Sequence, residues 1–176
     1  MRNKFYARKF NGHSFGDKTK NAVMEANEKI IEVLNDLIRI NHDRMEDYEK
    51  IIKQLPASDV DLKYLFTQFI VESEQYAGKL SSLVFENGGK PASTPTWSGK
   101  IYRMWMQIRL DMTNADRTSI LTSCEFGENA VQRAYKQALE ADVEMPAAIK
   151  EIINGQRLAL KSAYDEIRHY RDLLIT

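Results

Sequence analysis

The chain has 176 residues, enough for one domain with a sizeable core, and 43% of them are hydrophobic and 28% charged. Lys and Arg total 25 and Asp and Glu total 25, so no net charge gathers nucleic acid or an anionic membrane. A single cysteine, Cys124, excludes an intrachain disulfide and a thiolate metal site of its own. No apolar run approaches the ~20 residues that span a bilayer, and the basic N-terminus lacks a signal peptide's apolar stretch. We therefore expect a cytoplasmic protein with no membrane partner.

Residues 1–25 form a basic-aromatic N-terminal arm, outside a bundle domain predicted over 26–176. Lys and Arg alternate there with Phe5, Tyr6, Phe10 and Phe15, which is not a core pattern. One interpretation is a tail that packs partly on the domain. The other is an arm that binds nucleic acid or a protein partner. The arm carries no defined nucleic-acid-binding motif, which disfavours a nucleic-acid partner.

Two long helices are predicted in the first half of the chain. Apolar residues recur at three- and four-residue steps from Ala26 to Leu55, and Pro56 ends that helix. Ser58 is the predicted N-cap of the second helix, with Asp61 three residues later as a short capping-box acid. The run Asn87-Gly88-Gly89 predicts its end, because glycine accepts the positive φ of a helix stop.

A linker-like stretch over 88–96 leads to a short predicted helix at 97–111, inside a long connection. Trp97 and Trp105 share one face of this crossover helix and predict an apolar cover over the bundle. Tyr102, Met104 and Met106 place further apolar surface on other sides. Because one helix covers the bundle with one side only, we expect self-association into a homo-oligomer.

The second half repeats the pattern of the first at a spacing of 87 residues, the separation of Tyr48 and Tyr135. A third helix starts near Asp116, and Pro146 opens a fourth at a first-turn position. Each half is therefore one antiparallel hairpin. Two hairpins joined by one long crossover make an all-α, ferritin-like four-helix bundle with a short helix in the crossover.

Polar residues interrupt the apolar faces near the middle of the bundle. In antiparallel register, Asn41, Glu72, Glu125, Glu128 and Tyr164 fall within about two helical turns, roughly 11 Å of rise. One interpretation is a metal site for iron or manganese, with Glu72, Glu125 and Glu128 as ligands and Asn41 and Tyr164 as neighbours. This set departs from the usual bundle pattern of glutamates with two Glu-x-x-His pairs, because no histidine joins it. Glu166 and His169 have that spacing but lie near the bundle end, where we expect surface residues.

The alternative interpretation is a hydrogen-bonded polar cluster that fixes helix register. A buried carboxylate without a partner costs several kcal/mol, so Tyr164, Asn41, Gln156 or a nearby arginine is expected to hold the glutamates. Under this interpretation Glu128→Gln should leave the stability unchanged or raise it.

Three runs of the sequence resemble a bacterial family of ferritin-like four-helix-bundle proteins of unknown function. They are Leu34 to Arg44, Ser123 to Glu128, and Ala163 to Asp165. The best mark is Cys-Glu-x-Gly-Glu at residues 124–128. The family pattern often has His where Tyr164 stands, so the resemblance gives little support to a metal ligand there. It implies a ferritin-like fold over about 28–174 and no established reaction.

No enzyme motif is present. Gly88-Gly89 follows a helix, whereas a phosphate-binding glycine loop precedes one. The leading hypothesis is a non-catalytic ferritin-like bundle protein with a stress-related or scaffolding role, without catalytic or cofactor-binding residues. The alternative is a ferritin-like protein that binds iron or manganese through its interior carboxylates.

Overall fold

The computed structural model describes residues 14–93 and 116–174, which form four α-helices. They are α1 (Ser14–Gln54), α2 (Val60–Glu86), α3 (Arg117–Leu139) and α4 (Ala147–Asp172). These residues include no strand, and the predicted all-α four-helix bundle is confirmed. Most of the N-terminal arm and the predicted crossover helix lie outside the described residues.

Helix α1 begins at Ser14 rather than near Ala26. Val23 and Met24 are 57% and 53% exposed, and the core begins at Ile30. The sequence prediction followed the apolar period, and a helix without a buried face has no such period. The boundary between arm and domain at residue 25 stays a prediction.

The predicted cap of α2 is wrong by one residue. Asp59 occupies the N-cap position without a side-chain capping bond, and α2 begins at Val60. The carboxylate of Asp61 binds Arg117 of α3 at 2.6 Å. Pro146 similarly stands at the N-cap of α4, just before the helix.

The other helix limits follow the predicted chemistry. At the start of α3 the Asp116 carboxylate accepts a hydrogen bond from the Ser119 amide at 2.8 Å. At the end of α2 Gly88 has φ +80°, and Gly89 donates its amide to the Val84 carbonyl at 2.9 Å. The second bond from Gly88 to Phe85 completes a Schellman motif.

The helices pack as two hairpins, α1 with α2 and α3 with α4, and the hairpins meet where α1 contacts α3 and α2 contacts α4. Two apolar clusters fill the interior. One surrounds Leu34, Leu80 and Tyr135, and the other surrounds Tyr48, Phe66 and Leu121. Buried polar side chains lie between them.

We expect Gly88→Ala to lower the free energy of unfolding by about 1 kcal/mol, because an L side chain disfavours the positive φ at this position. Gly155→Ala is the matched control. Gly155 lies inside α4 with no atom near the place of a Cβ, so alanine there should add about 1 kcal/mol through helix propensity. Urea unfolding of the three proteins measures both changes, and equal effects of the two substitutions would contradict the assigned helix stop.

Candidate functional site

The centre of the bundle holds a buried ion pair between α1 and α3. Arg44 Nε donates to Glu128 Oε1 at 2.7 Å, and both side chains are only 2% exposed. Tyr48, one turn after Arg44, donates its hydroxyl to the same oxygen at 2.6 Å. Glu128 is thus held by a cation and a phenol.

The Arg44 guanidinium also reaches α2. Its Nη1 donates to the Phe69 carbonyl at 2.9 Å and to the Ser73 hydroxyl at 2.6 Å, and Ser73 donates in turn to Phe69. The rings of Tyr48 and Phe69 lie 5.3 and 5.0 Å from the guanidinium carbon, within the range of cation–π attraction. One cation therefore joins three helices.

The buried environment of this pair strongly shifts the pKa values of Arg44 and of the neighbouring Tyr48 and Cys124. Burial alone would lower the pKa of Arg44, but the charge of Glu128 and the hydrogen bond to it raise that pKa above its ordinary value. Burial and then the charge of Glu128 raise the pKa of Tyr48 well above its ordinary value. Burial, followed by Glu128, likewise raises the pKa of the Cys124 thiol. The phenol and the thiol are therefore protonated at neutral pH, and Cys124 is the small buried side chain that its helical context predicts.

A second polar chain lies next to the ion pair and contacts all four helices. Asn41 Nδ2 of α1 donates to the Tyr135 hydroxyl of α3 at 2.7 Å. Tyr135 donates to Gln156 Oε1 of α4 at 3.0 Å, and Gln156 donates to the Tyr76 carbonyl of α2 at 3.4 Å. Asn41 is fully buried, as the sequence predicts for this layer.

Glu72 lies beside the ion pair but makes no direct bond to it. Its side chain is partly buried, and burial is the main reason that its pKa is raised; the charge of Arg44 opposes this rise, and the charges of Glu128 and Glu166 add to it. The Oε2 atoms of Glu72 and Glu128 and the Nη2 atom of Arg44 are buried without a hydrogen-bond partner among the described residues.

Glu125 belongs to a different cluster, away from Glu128. Its carboxylate accepts a hydrogen bond from Tyr164 at 3.2 Å and pairs with Arg171 near the end of α4. The structure therefore places Glu72 near Glu128, bonds Asn41 to Tyr135 in the second polar chain, and holds Glu125 with Tyr164 and Arg171. Glu166 and His169 are exposed, as expected.

The centre lacks the full ligand set that the metal interpretation requires. A cation, Arg44, already pairs with one oxygen of Glu128. Across residues 14–93 and 116–174, no group of three or more His, Cys, Asp or Glu side chains is placed to hold a metal ion.

Residues 29–141 match a protein family described as a domain of unknown function, DUF2383. The match covers more than half of the chain and includes both partners of the central ion pair. This chain belongs to that family.

The DUF2383 fold is also found among solved structures. A point mutant of Dps1 from Mycobacterium smegmatis superposes with a TM-score of 0.60 at 13% sequence identity, over 88% of this chain and 98% of that one. At that identity the likeness concerns the fold alone. No curated protein sequence matches the chain. Among the described residues, no helix is both long and apolar enough to cross a membrane.

The sequence prediction missed the roles of Arg44 and Tyr48. A signal was available, because Asn41, Arg44 and Tyr48 follow one another at three- and four-residue steps on the buried face of α1. An arginine in such a series is usually placed at the surface, where its charge is hydrated. Only the carboxylate opposite it on α3 explains its burial.

The ion pair reverses the expected effect of neutralising Glu128. We predict that Arg44→Met and Glu128→Leu each lower the free energy of unfolding by about 3–5 kcal/mol, because each leaves an unpaired buried charge. The double variant Arg44→Met/Glu128→Leu should be more stable than either single variant, since no charge is left in the apolar interior.

Denaturant unfolding of the four proteins completes this double-mutant cycle. The exposed pair of Arg117 and Asp61 is the control, and a cycle there should give a coupling of about 0–1 kcal/mol. A coupling at Arg44 and Glu128 as small as this surface value would show that the two groups do not meet in the interior.

Proposed function

We propose that this protein is a non-catalytic ferritin-like bundle that serves as a scaffold, in a stress-related setting, through its surface rather than through interior chemistry. The observation that carries the proposal is the Arg44–Glu128 ion pair. Ferritin-like proteins that bind iron or manganese use interior carboxylates as ligands. Here the interior carboxylate of Glu128 is already paired with a cation of the same chain, Arg44.

The remaining interior groups also support a structural role. Tyr48 and Tyr135 are protonated. Their hydroxyls donate hydrogen bonds to Glu128 and Gln156, respectively. Cys124 is buried with its pKa raised, so it is a poor nucleophile. The two tyrosines each join two helices through these bonds. A rigid bundle of fixed register suits a scaffold. We expect this scaffold to act in the cytoplasm as a homo-oligomer.

One observation favours the alternative function, which is binding of iron or manganese. Glu72 and Glu128 each keep one buried carboxylate oxygen without a partner among the described residues. A divalent cation between these oxygens would satisfy both, although it would stand near the Arg44 guanidinium. Glu125 could not join it, because Arg171 and Tyr164 hold that carboxylate in another cluster.

Thermal unfolding with chelator and with added Mn²⁺ or anaerobic Fe²⁺ separates the two functions. A ligand at a hundred times its Kd stabilises the folded state by about 2.7 kcal/mol, which raises Tm by several degrees. We expect the same Tm with chelator and with either metal.

Glu72→Gln and Glu74→Gln are the matched pair for this measurement. Both change one carboxyl of α2, but Glu72 lies beside the ion pair and Glu74 is exposed. A metal-dependent rise in Tm that Glu72→Gln abolishes and Glu74→Gln keeps would overturn the proposed function in favour of metal binding.

A further inference from the structure

The outward face of α2 carries a long stripe without charged residues. Its exposed positions recur at three- and four-residue steps, and the main ones are Val60, Tyr64, Val71, Gly78, Ser82 and Phe85. Val60, Tyr64 and Phe85 are each about two-thirds exposed, at 67%, 68% and 66%. An exposed helix face normally carries the charged residues. The exposed side of α4 does so, with Lys150, Glu151, Lys161, Asp165 and Arg168.

Two hydroxyls within the stripe, those of Thr67 and Ser82, are bonded to their own helix. Thr67 donates its hydroxyl to the Lys63 carbonyl at 2.7 Å, and Ser82 donates to the Gly78 carbonyl at 3.2 Å. The hydroxyls are therefore bonded to their own helix and present carbon to the outside. Gly78, in the middle of an exposed helix, has no atom within 4 Å of the place that a Cβ would take. Among the residues that the structure describes, none requires a glycine there.

The stripe is complementary to itself in antiparallel orientation. If two copies of α2 cross with Val71 on a two-fold axis, positions equally distant from Val71 come level with each other. Tyr64 and Gly78, each seven residues away, then face one another across the interface. Val60 faces Ser82 by the same rule, at eleven residues. Each large side chain therefore meets a small residue, which is how helix surfaces interlock.

The same register extends to the ends of the stripe and to its charged edge. Phe85 comes level with Ala57, an exposed small residue in the turn before α2. On one flank Asp61 of one copy lies near Lys79 of the other, with opposite charges. Asp61 and Lys79 stay on the flank, and Glu74, three residues after Val71, lies at the edge of the interface.

We propose that two copies of this chain pair through α2, antiparallel and with Val71 at the two-fold axis. The stripe from Val60 to Phe85 is about 38 Å long at a rise of about 1.5 Å per residue. At roughly 10 Å of width it buries roughly half of the ~800 Å² per partner of a standard interface, so we expect a weak dimer. This surface is separate from the interior site and does not depend on its role.

Gly78→Gln tests the interface without weakening the monomer. The new side chain points into open space and improves helix propensity, but it fills the place that Tyr64 of the second copy needs. Gly155→Gln is the matched control, at an exposed helical glycine of α4 that is equally free of neighbours. Sedimentation equilibrium from about 1 µM to about 1 mM gives the dissociation constants.

We expect wild type and Gly155→Gln to dimerise alike and Gly78→Gln to raise the dissociation constant by about tenfold or more. Both variants should keep or raise Tm. A wild type that stays monomeric throughout, or equal dissociation constants for the two variants, would overturn the proposal.

Disulfide crosslinking tests the position of the axis independently. Val71→Cys should form a covalent dimer on mild oxidation, because the two thiols face each other at the axis, and the buried Cys124 does not interfere. Ala159→Cys, exposed on α4, is the control. Crosslinking of Val71→Cys no faster than that of Ala159→Cys would contradict an axis at Val71.

Discussion

The ion pair of Arg44 and Glu128 is the constraint around which the bundle is organised. Removing two charges from water costs several kcal/mol for each, and their attraction repays this only with good geometry and further hydrogen bonds. The structure supplies both. Tyr48 supports the carboxylate, while Ser73 and the Phe69 carbonyl support the guanidinium. Three helices must be in register to complete the pair.

This requirement explains the division of the interior. The polar side chains form a layer between two apolar clusters, so a shift of any helix along its axis would move a charge into hydrocarbon. Beside the pair, the chain from Asn41 through Tyr135 to Gln156 contacts the remaining helix as well. Apolar packing alone permits neighbouring registers, and the buried polar layer excludes them.

Much of this architecture could be predicted from local chemistry. The helix stop at Gly88, the cap at Asp116 and the buried polar positions Asn41 and Glu128 follow from φ preference, capping and helical period. Glu125 shows the limit of that reasoning. It lies three residues before Glu128, so both were placed in one layer, but Arg171 at the end of α4 holds it in another. Which cation faces which carboxylate depends on how the hairpins meet, and periodicity within one helix carries no information about that.

The start of α1 and the burial of Arg44 were missed for related physical reasons. Val23 and Met24 are exposed, so they do not extend the apolar period of α1 toward Ser14. Arg44 is buried against the ordinary preference of its side chain, which only a partner on another helix can offset. For Arg44, the contact with another helix outweighs the usual surface preference of the side chain. For the start of α1, the sequence offers no apolar pattern that predicts a helix.

A crystal structure of the protein soaked in manganese, with anomalous differences measured, tests most directly whether the interior charge is structural. The account predicts that the Arg44 guanidinium stays within hydrogen-bond distance of Glu128, with no anomalous peak beside Glu72. A manganese peak bound by Glu72 and Glu128, with the Arg44 side chain turned away, would contradict it.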